Sequence, residues 1–157
     1  MDTLIIVVAS VAAIGIAGIF FVSLTAARPT DLGIHDGRLS DLPPTPNCVS
    51  SYATDELQGI QPLVFAGDPA KALAKVRQIV AAMRGATLVE SHPDYLHVEF
   101  RSSIFRFVDD VEFQLDDKAN QIHFRSASRT GYSDIGMNRT RMERIRKLFE
   151  SRQQLTK

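Results

Sequence analysis

The chain has 157 residues, one cysteine and four histidines, and its 18 basic and 18 acidic side chains cancel. A single cysteine excludes an internal disulfide, and the scattered histidines, His35, His92, His97 and His123, exclude a zinc cluster of ordinary ligand spacing. The neutrality hides an asymmetry: residues 28–138 carry 11 basic and 15 acidic groups, a balance of −4, whereas residues 139–157 carry 7 and 2, a balance of +5.

Leu4 to Leu24 is 21 residues without a charge. As a helix it rises about 30 Å, the thickness of a bilayer core. No polar face marks it as a core helix. A cleaved signal peptide is the rival reading, with Thr25-Ala26-Ala27 as cleavage site. Its basic leader is missing and the apolar run is long, so residues 1–27 are expected to be a retained membrane anchor. Gly15 and Gly18 would let this helix approach another closely, as in an accessory subunit of a membrane-protein complex.

Residues 28–59 carry Pro29, Pro43, Pro44 and Pro46, with a turn at Asp36-Gly37. They are expected to form a linker or extended arm. A soluble α+β domain should follow over residues 60–157. Ile60 to Ala66 reads as an edge strand. Asp68 and Pro69 supply an N-cap and a first helical residue. Leu73, Val76, Val80 and Met83 recur at helical spacing, and Gly85 marks a stop.

From there the period is two. A short strand holds Leu88 and Val89. Leu96, Val98 and Phe100 alternate with His97, Glu99 and Arg101; Val111, Phe113 and Leu115 with Glu112 and Gln114; Ile122 and Phe124 with His123 and Arg125. This pattern predicts an antiparallel meander with one buried face. A last helix over about 138–152 buries Met142, Ile145, Leu148 and Phe149. Both helices should cover one sheet face and leave the other polar and displayed.

Register follows from parity. The turn over 116–120 should pair Leu115 with Ile122, Phe113 with Phe124 and Glu112 with Arg125. For the preceding strand, Arg101 opposite Glu112 is attractive and Glu99 opposite Glu112 repulsive. The expected row is therefore Arg101–Glu112–Arg125, with a surplus positive charge near Arg125.

Several strings are specific enough to suggest kinship: Asp31-Leu32-Gly33, Gly37-Arg38-Leu39, Pro46-Asn47-Cys48-Val49-Ser50-Ser51, Phe107 through Phe113, Arg125 through Arg129, Gly131-Tyr132-Ser133-Asp134 and Asn138-Arg139. Through them the chain resembles the bacterial and plastid family known as domain of unknown function 1499. The resemblance implies no catalytic assignment and no cofactor. Its members are commonly secreted or membrane-anchored, those of plants in the thylakoid lumen, which implies a domain on the periplasmic or luminal side.

Four features could carry chemistry. Cys48 could act as a nucleophile with His97 or His123 as base and Asp109 or Asp110 orienting it; the competing role is an inert buried thiol. Asp109, Asp110 and Glu112 could hold a cation, but neighbours on a strand point to opposite faces, so no metal site is expected. Arg125, Ser126, Ser128, Arg129, Tyr132, Asn138 and Arg139 could cradle an anion or a lipid headgroup. The basic last helix lacks the interleaved aromatics of a nucleic-acid binder, so no nucleic acid is expected as a partner. The leading reading is a non-enzymatic, membrane-held binding or accessory module. The alternative is a hydrolase-like enzyme using Cys48 or a serine of 126–133. An enzyme should bring one of these within hydrogen-bond reach of a histidine in a cleft.

Overall fold

A computed structural model describes residues 2–154. Helix α1 spans Asp2–Thr25 and is long and apolar enough to cross a membrane; a secretion signal passes the same test. Most of it stands clear of the domain, but its last turns return to it. Ser23 is buried, and the Phe20 ring lies 5.8 Å from that of Phe105.

Strands β1 (Ile34–His35) and β2 (Arg38–Leu39) form a two-residue hairpin. Asp36 and Gly37 both have positive φ, 51° and 83°, as a tight primed turn requires. Strands β3 (Cys48–Ser50), β4 (Leu63–Val64), β5 (Ala86–Ser91), β6 (Tyr95–Arg101), β7 (Val108–Asp116) and β8 (Gln121–Ser128) form one antiparallel sheet in the order β3-β8-β7-β6-β5, with β4 also on β8. Helices α2 (Pro69–Ala81) and α3 (Met137–Gln154) complete the fold, which is α+β as expected. Of the 60–66 run only β4 becomes strand, while β3 is a strand the proline-rich composition conceals. The sheet therefore draws strands from both sides of residue 60.

The core lies between the sheet and the two helices. Leu73, Val76, Ile79 and Val80 of α2 meet Met142, Ile145 and Phe149 of α3 over Leu96, Val98, Val111, Phe113, Ile122 and Phe124. The Asp68 carboxylate accepts the Ala70 and Lys71 amides, capping α2. Gly85 lies beyond the helix end and turns the chain into β5. A Cβ there would meet the Arg101 carbonyl oxygen at 2.5 Å, so only glycine fits.

The β7–β8 register is the expected one: Leu115 faces Ile122, Phe113 faces Phe124 and Glu112 faces Arg125. The β6–β7 register is not. His97 faces Glu112, Glu99 faces Asp110 and Arg101 faces Val108, so the row Arg101–Glu112–Arg125 does not exist. The expected display of the polar face fails as well. His97, Asp110, Glu112, Gln114 and Arg125 are buried, because residues 31–52 pack across them. A choice based on exposed charge pairs misleads on a face closed to water.

Truncating Phe124 to alanine removes a fully buried ring that packs on Phe113. The expected loss is about 3–5 kcal/mol, read as a lower midpoint in chemical denaturation of the full chain in detergent.

Candidate functional site

Strand parity divides the polar string 125–129 between the two sheet faces. Arg125 and Arg129 turn toward the 28–52 arm. Ser126 and Ser128 turn toward α3. The structure therefore does not gather these residues into one cradle.

On the arm side the charges are paired in a buried network. Arg129 grips Asp110 with Nε and Nη2, both at 2.7 Å, and reaches Glu99 at 2.6 Å. His97 Nε2 is 2.8 Å from the same Asp110 carboxylate, and Arg28 donates to Glu99 at 2.9 Å. Arg125 donates to Glu112 and to Asp31, each at 3.1 Å. Glu112 also accepts the Tyr95 hydroxyl at 2.8 Å and the Gly33 amide at 2.7 Å. The surplus positive charge expected beside Arg125 is thus taken up by Asp31.

These pairings set the titrations. Burial pushes the Asp110 carboxyl up, but hydrogen bonds from Arg129 and His97 outweigh it and hold Asp110 below its ordinary value. Glu99 is held down in the same way, burial being overcome by Arg129 and Arg28. Its bonds to Asp110 raise Arg129 further, and burial together with Glu112 raises Tyr95.

On the helix side, Asn138 ties the strand to α3. Its Oδ1 accepts the Ser126 hydroxyl at 2.5 Å, and its Nδ2 donates to Ser128 Oγ at 3.0 Å and to the Asn47 carbonyl at 2.9 Å. Ser128 donates to Asp109 at 2.5 Å, and Arg141 pairs with Asp109. Arg139 clamps the carbonyls of Glu56, Leu57 and Gly59. Tyr132 stands on the loop beyond, 74% exposed. As parity requires, Asp109 and Asp110 lie on opposite faces, each bound by an arginine.

Cys48 is 1% exposed. Its sulfur lies 3.0 Å from the Thr45 carbonyl oxygen and accepts Gln58 Nε2 at 3.0 Å, with no histidine among its hydrogen-bond partners. Burial pushes its pKa up, against the lowering effect of Gln58. The serine that does meet a histidine is Ser51, which sequence reasoning passed over: its Oγ is 3.1 Å from His123 Nδ1 beside an open cavity. That oxygen also accepts the Phe124 amide at 2.9 Å and so extends the β3–β8 ladder by one rung.

A cavity of about 480 Å³ lies at the end of the sheet where β6 turns into β7. The 102–107 loop, the 128–137 segment, the start of α3 and the turn after α2 enclose it. Its lining comes from five separate stretches of chain, and of the anion-binding residues expected from sequence it includes Ser128 alone.

An antiparallel sheet with two helices on one face and an N-terminal arm across the other defines a small α+β domain behind an apolar helix. The family described as "Protein of unknown function (DUF1499)" matches residues 38–149, and the chain belongs to it. Among curated proteins none matches the chain.

Two outcomes follow from the pairings. Asp110→Asn leaves Arg129 and His97 facing an uncharged amide in a buried site, and stability should fall by about 3–5 kcal/mol. In the parent chain, burial holds His123 below its ordinary value, so the unfolded state takes up protons first and stability should begin to fall below about pH 6.5. Asp110 and Glu99 have depressed folded values, so their contribution is present above about pH 4 and is lost below it. Denaturation midpoints taken from pH 8 to pH 3 should show both limbs, the acidic one shallower in Asp110→Asn. Separately, Cys48 should react with a mild thiol reagent at least roughly a hundredfold more slowly in the folded than in the denatured chain, since an inaccessible, protonated thiol is a poor nucleophile.

Proposed function

We propose that the chain is a single-pass membrane module whose α+β domain rests on the bilayer surface and binds there without catalysing a reaction. The carrying observation is the packing of α1 against the domain. Phe20 sits five residues before the helix end, about 7.5 Å along its axis, and touches Phe105 on the 102–107 loop. If α1 spans lipid, that loop reaches the headgroup layer.

The surface around it has the composition such a position asks for. Ile104 is 71% exposed, Tyr132 74%, Met137 58% and Ile135 94%. All four lie on the two stretches that enclose the cavity or beside its lining. Ile135 also has φ +55°, which a β-branched residue adopts only under strain. A strained backbone that holds an apolar side chain out of the fold is readily understood if lipid receives that side chain. Phe20 and Ser23, which lie before the Thr25-Ala26-Ala27 site, pack on the domain, and this supports retention of α1 as an anchor. The family resemblance favours the periplasmic or luminal side for the domain.

The binding reading is supported by the state of the nucleophile candidates. Cys48 is buried without a base, and Ser126 and Ser128 are held by Asn138 and Asp109. Among the described residues Ser51 is the one serine whose bond to a histidine favours a hydrolase, and its second role as acceptor for the Phe124 amide fits an edge cap better than a free nucleophile.

The chain has no tryptophan, so each introduced one is a clean reporter. Ile104→Trp and Ile135→Trp, in the full chain reconstituted in phosphatidylcholine–phosphatidylglycerol vesicles, should emit to the blue of water and be quenched by brominated acyl chains. Val64→Trp, which pairs with Gln121 at the far end of the sheet, should do neither. Water-like, unquenched emission from both loop reporters would remove the bilayer-docked reading.

A further inference from the structure

The cavity beside the 102–107 loop has the makings of a two-part site. Its apolar surface comes from Met83, Phe100, Phe107 and Met137. Around this stand four arginines, Arg84, Arg101, Arg141 and Arg144, against two carboxylates, Asp109 and Asp134, a formal balance of +2. Internal pairing then decides which charges are free. Arg141 is held by Asp109 and Asn138 and lies over the Phe100 ring at 4.6 Å. Arg101 leans on Glu99 at 3.5 Å. Asp134 is engaged in the turn into α3, accepting the Asn138 amide at 2.6 Å and the Gly136 amide at 3.0 Å. Arg84 and Arg144 make no ion pair among the described residues, and both are exposed on the cavity wall.

Two guanidiniums with unused donors face a space that also offers the hydroxyls of Ser102, Ser103, Thr130 and Thr140. Guanidinium and hydroxyl donors converging in this way suit a phosphate ester, which accepts several charge-assisted bonds at once. The apolar floor has no use for a free phosphate. It suits the first carbons of an acyl chain, with Ile104 and Ile135 on the flanking loops continuing the apolar path.

We infer that this cavity binds an anionic membrane phospholipid, its phosphate held by Arg84 and Arg144 and its glycerol and proximal acyl carbons lying over Phe100, Phe107 and Met137. The inference rests on the bilayer-docked reading for the supply of its ligand, from the leaflet rather than from water. It differs from the site expected at Arg125 and Arg129, whose charges are answered by Asp31, Glu112, Asp110 and Glu99. A cationic, partly exposed site should also weaken as salt rises.

The full chain, purified in a non-ionic detergent and examined by native mass spectrometry against an equimolar mixture of short-chain phosphatidylglycerol and phosphatidylcholine, should carry one phosphatidylglycerol in preference to phosphatidylcholine by at least roughly tenfold. The double variant Arg84→Gln, Arg144→Gln changes two exposed side chains outside the core, so it should fold like the parent and lose the preference. Met137→Asp should lower retention of both lipids. Glycerol phosphate or inorganic phosphate at equal concentration should compete weakly. Equal retention of the two lipids, or a preference unchanged in the double variant, overturns the site. Binding of glycerol phosphate as tight as that of the lipid overturns the lipid assignment. Because lipid is counted here in detergent and depth is read there by tryptophan in vesicles, failure of the site and failure of bilayer docking are separately visible.

Discussion

Arg129 is the constraint around which the rest of the polar sheet face is arranged. Its guanidinium is nearly buried and answers two carboxylates, Asp110 and Glu99, that sit opposite each other on β7 and β6. Remove the cation and two carboxylates face one another across a β-ladder, Asp110 left with His97 and Glu99 with the more exposed Arg28 and Arg101; remove Asp110 and the arginine keeps Glu99 alone. A charge buried without a partner costs several kcal/mol even after local relaxation. The same logic repeats one step along the sheet, where Glu112 is answered by Arg125, Tyr95 and the Gly33 amide. Both clusters are completed only when the arm brings Arg28, Asp31 and Gly33 into place. The arm therefore completes the hydrogen bonding of both clusters and covers them, while its own Arg28 and Asp31 cancel and leave the net charge of the face unchanged.

This arrangement also explains where a binding cavity can exist. One sheet face is covered by helices and apolar packing, the other is crossed by the arm and its ion pairs, which leave a cavity of about 370 Å³ beside Asp110, Arg125 and Arg129. Space remains at the end where β6 turns into β7, because the 102–107 loop and the 128–137 segment leave the sheet there and diverge. α1 reaches the domain at that same end through Phe20 and Phe105. Apolar loop residues, unpaired arginines and the tip of the hydrophobic helix are thus concentrated in one region, whereas the opposite end of the sheet carries the polar 116–120 turn.

Much of the helix-facing half was legible in the sequence. Alternation located β6, β7 and β8, the Asp68-Pro69 pair located the start of α2, and the 116–120 turn set the β7–β8 register to the residue. The β6–β7 register was not legible, because its connection has no turn of fixed length and the choice between registers had to rest on cross-strand charge. That criterion applies to a wet surface; here Glu99 and Asp110 can face each other because Arg129, from beyond the end of β8, lies between them. The arm was opaque for a different reason. Much of its recognition is by backbone: the Gly33 amide donates to Glu112, and the Gly37 carbonyl accepts Gln114. Backbone donors and acceptors leave no mark in composition. The cavity was opaque because five separate stretches of chain line it, and its two free arginines lie sixty residues apart.

β3 pairs with β8, Cys48 opposite Ala127, so its partner is made 79 residues after it. At a synthesis rate of about 5–20 residues per second, that is a wait of about 4–16 s. During it the hydrophobic N-terminus has already emerged and can engage lipid, while Asp31, the Gly33 amide and the Cys48 thiol have no fold to enter. The nascent chain is thus a partly polar ribbon until its last third appears, and its thiol is unshielded until then. The strand that receives the edge strand β3 is also the one that carries Arg125 and leads directly into Arg129, so the sheet edge and the ion pairs are completed by the same segment.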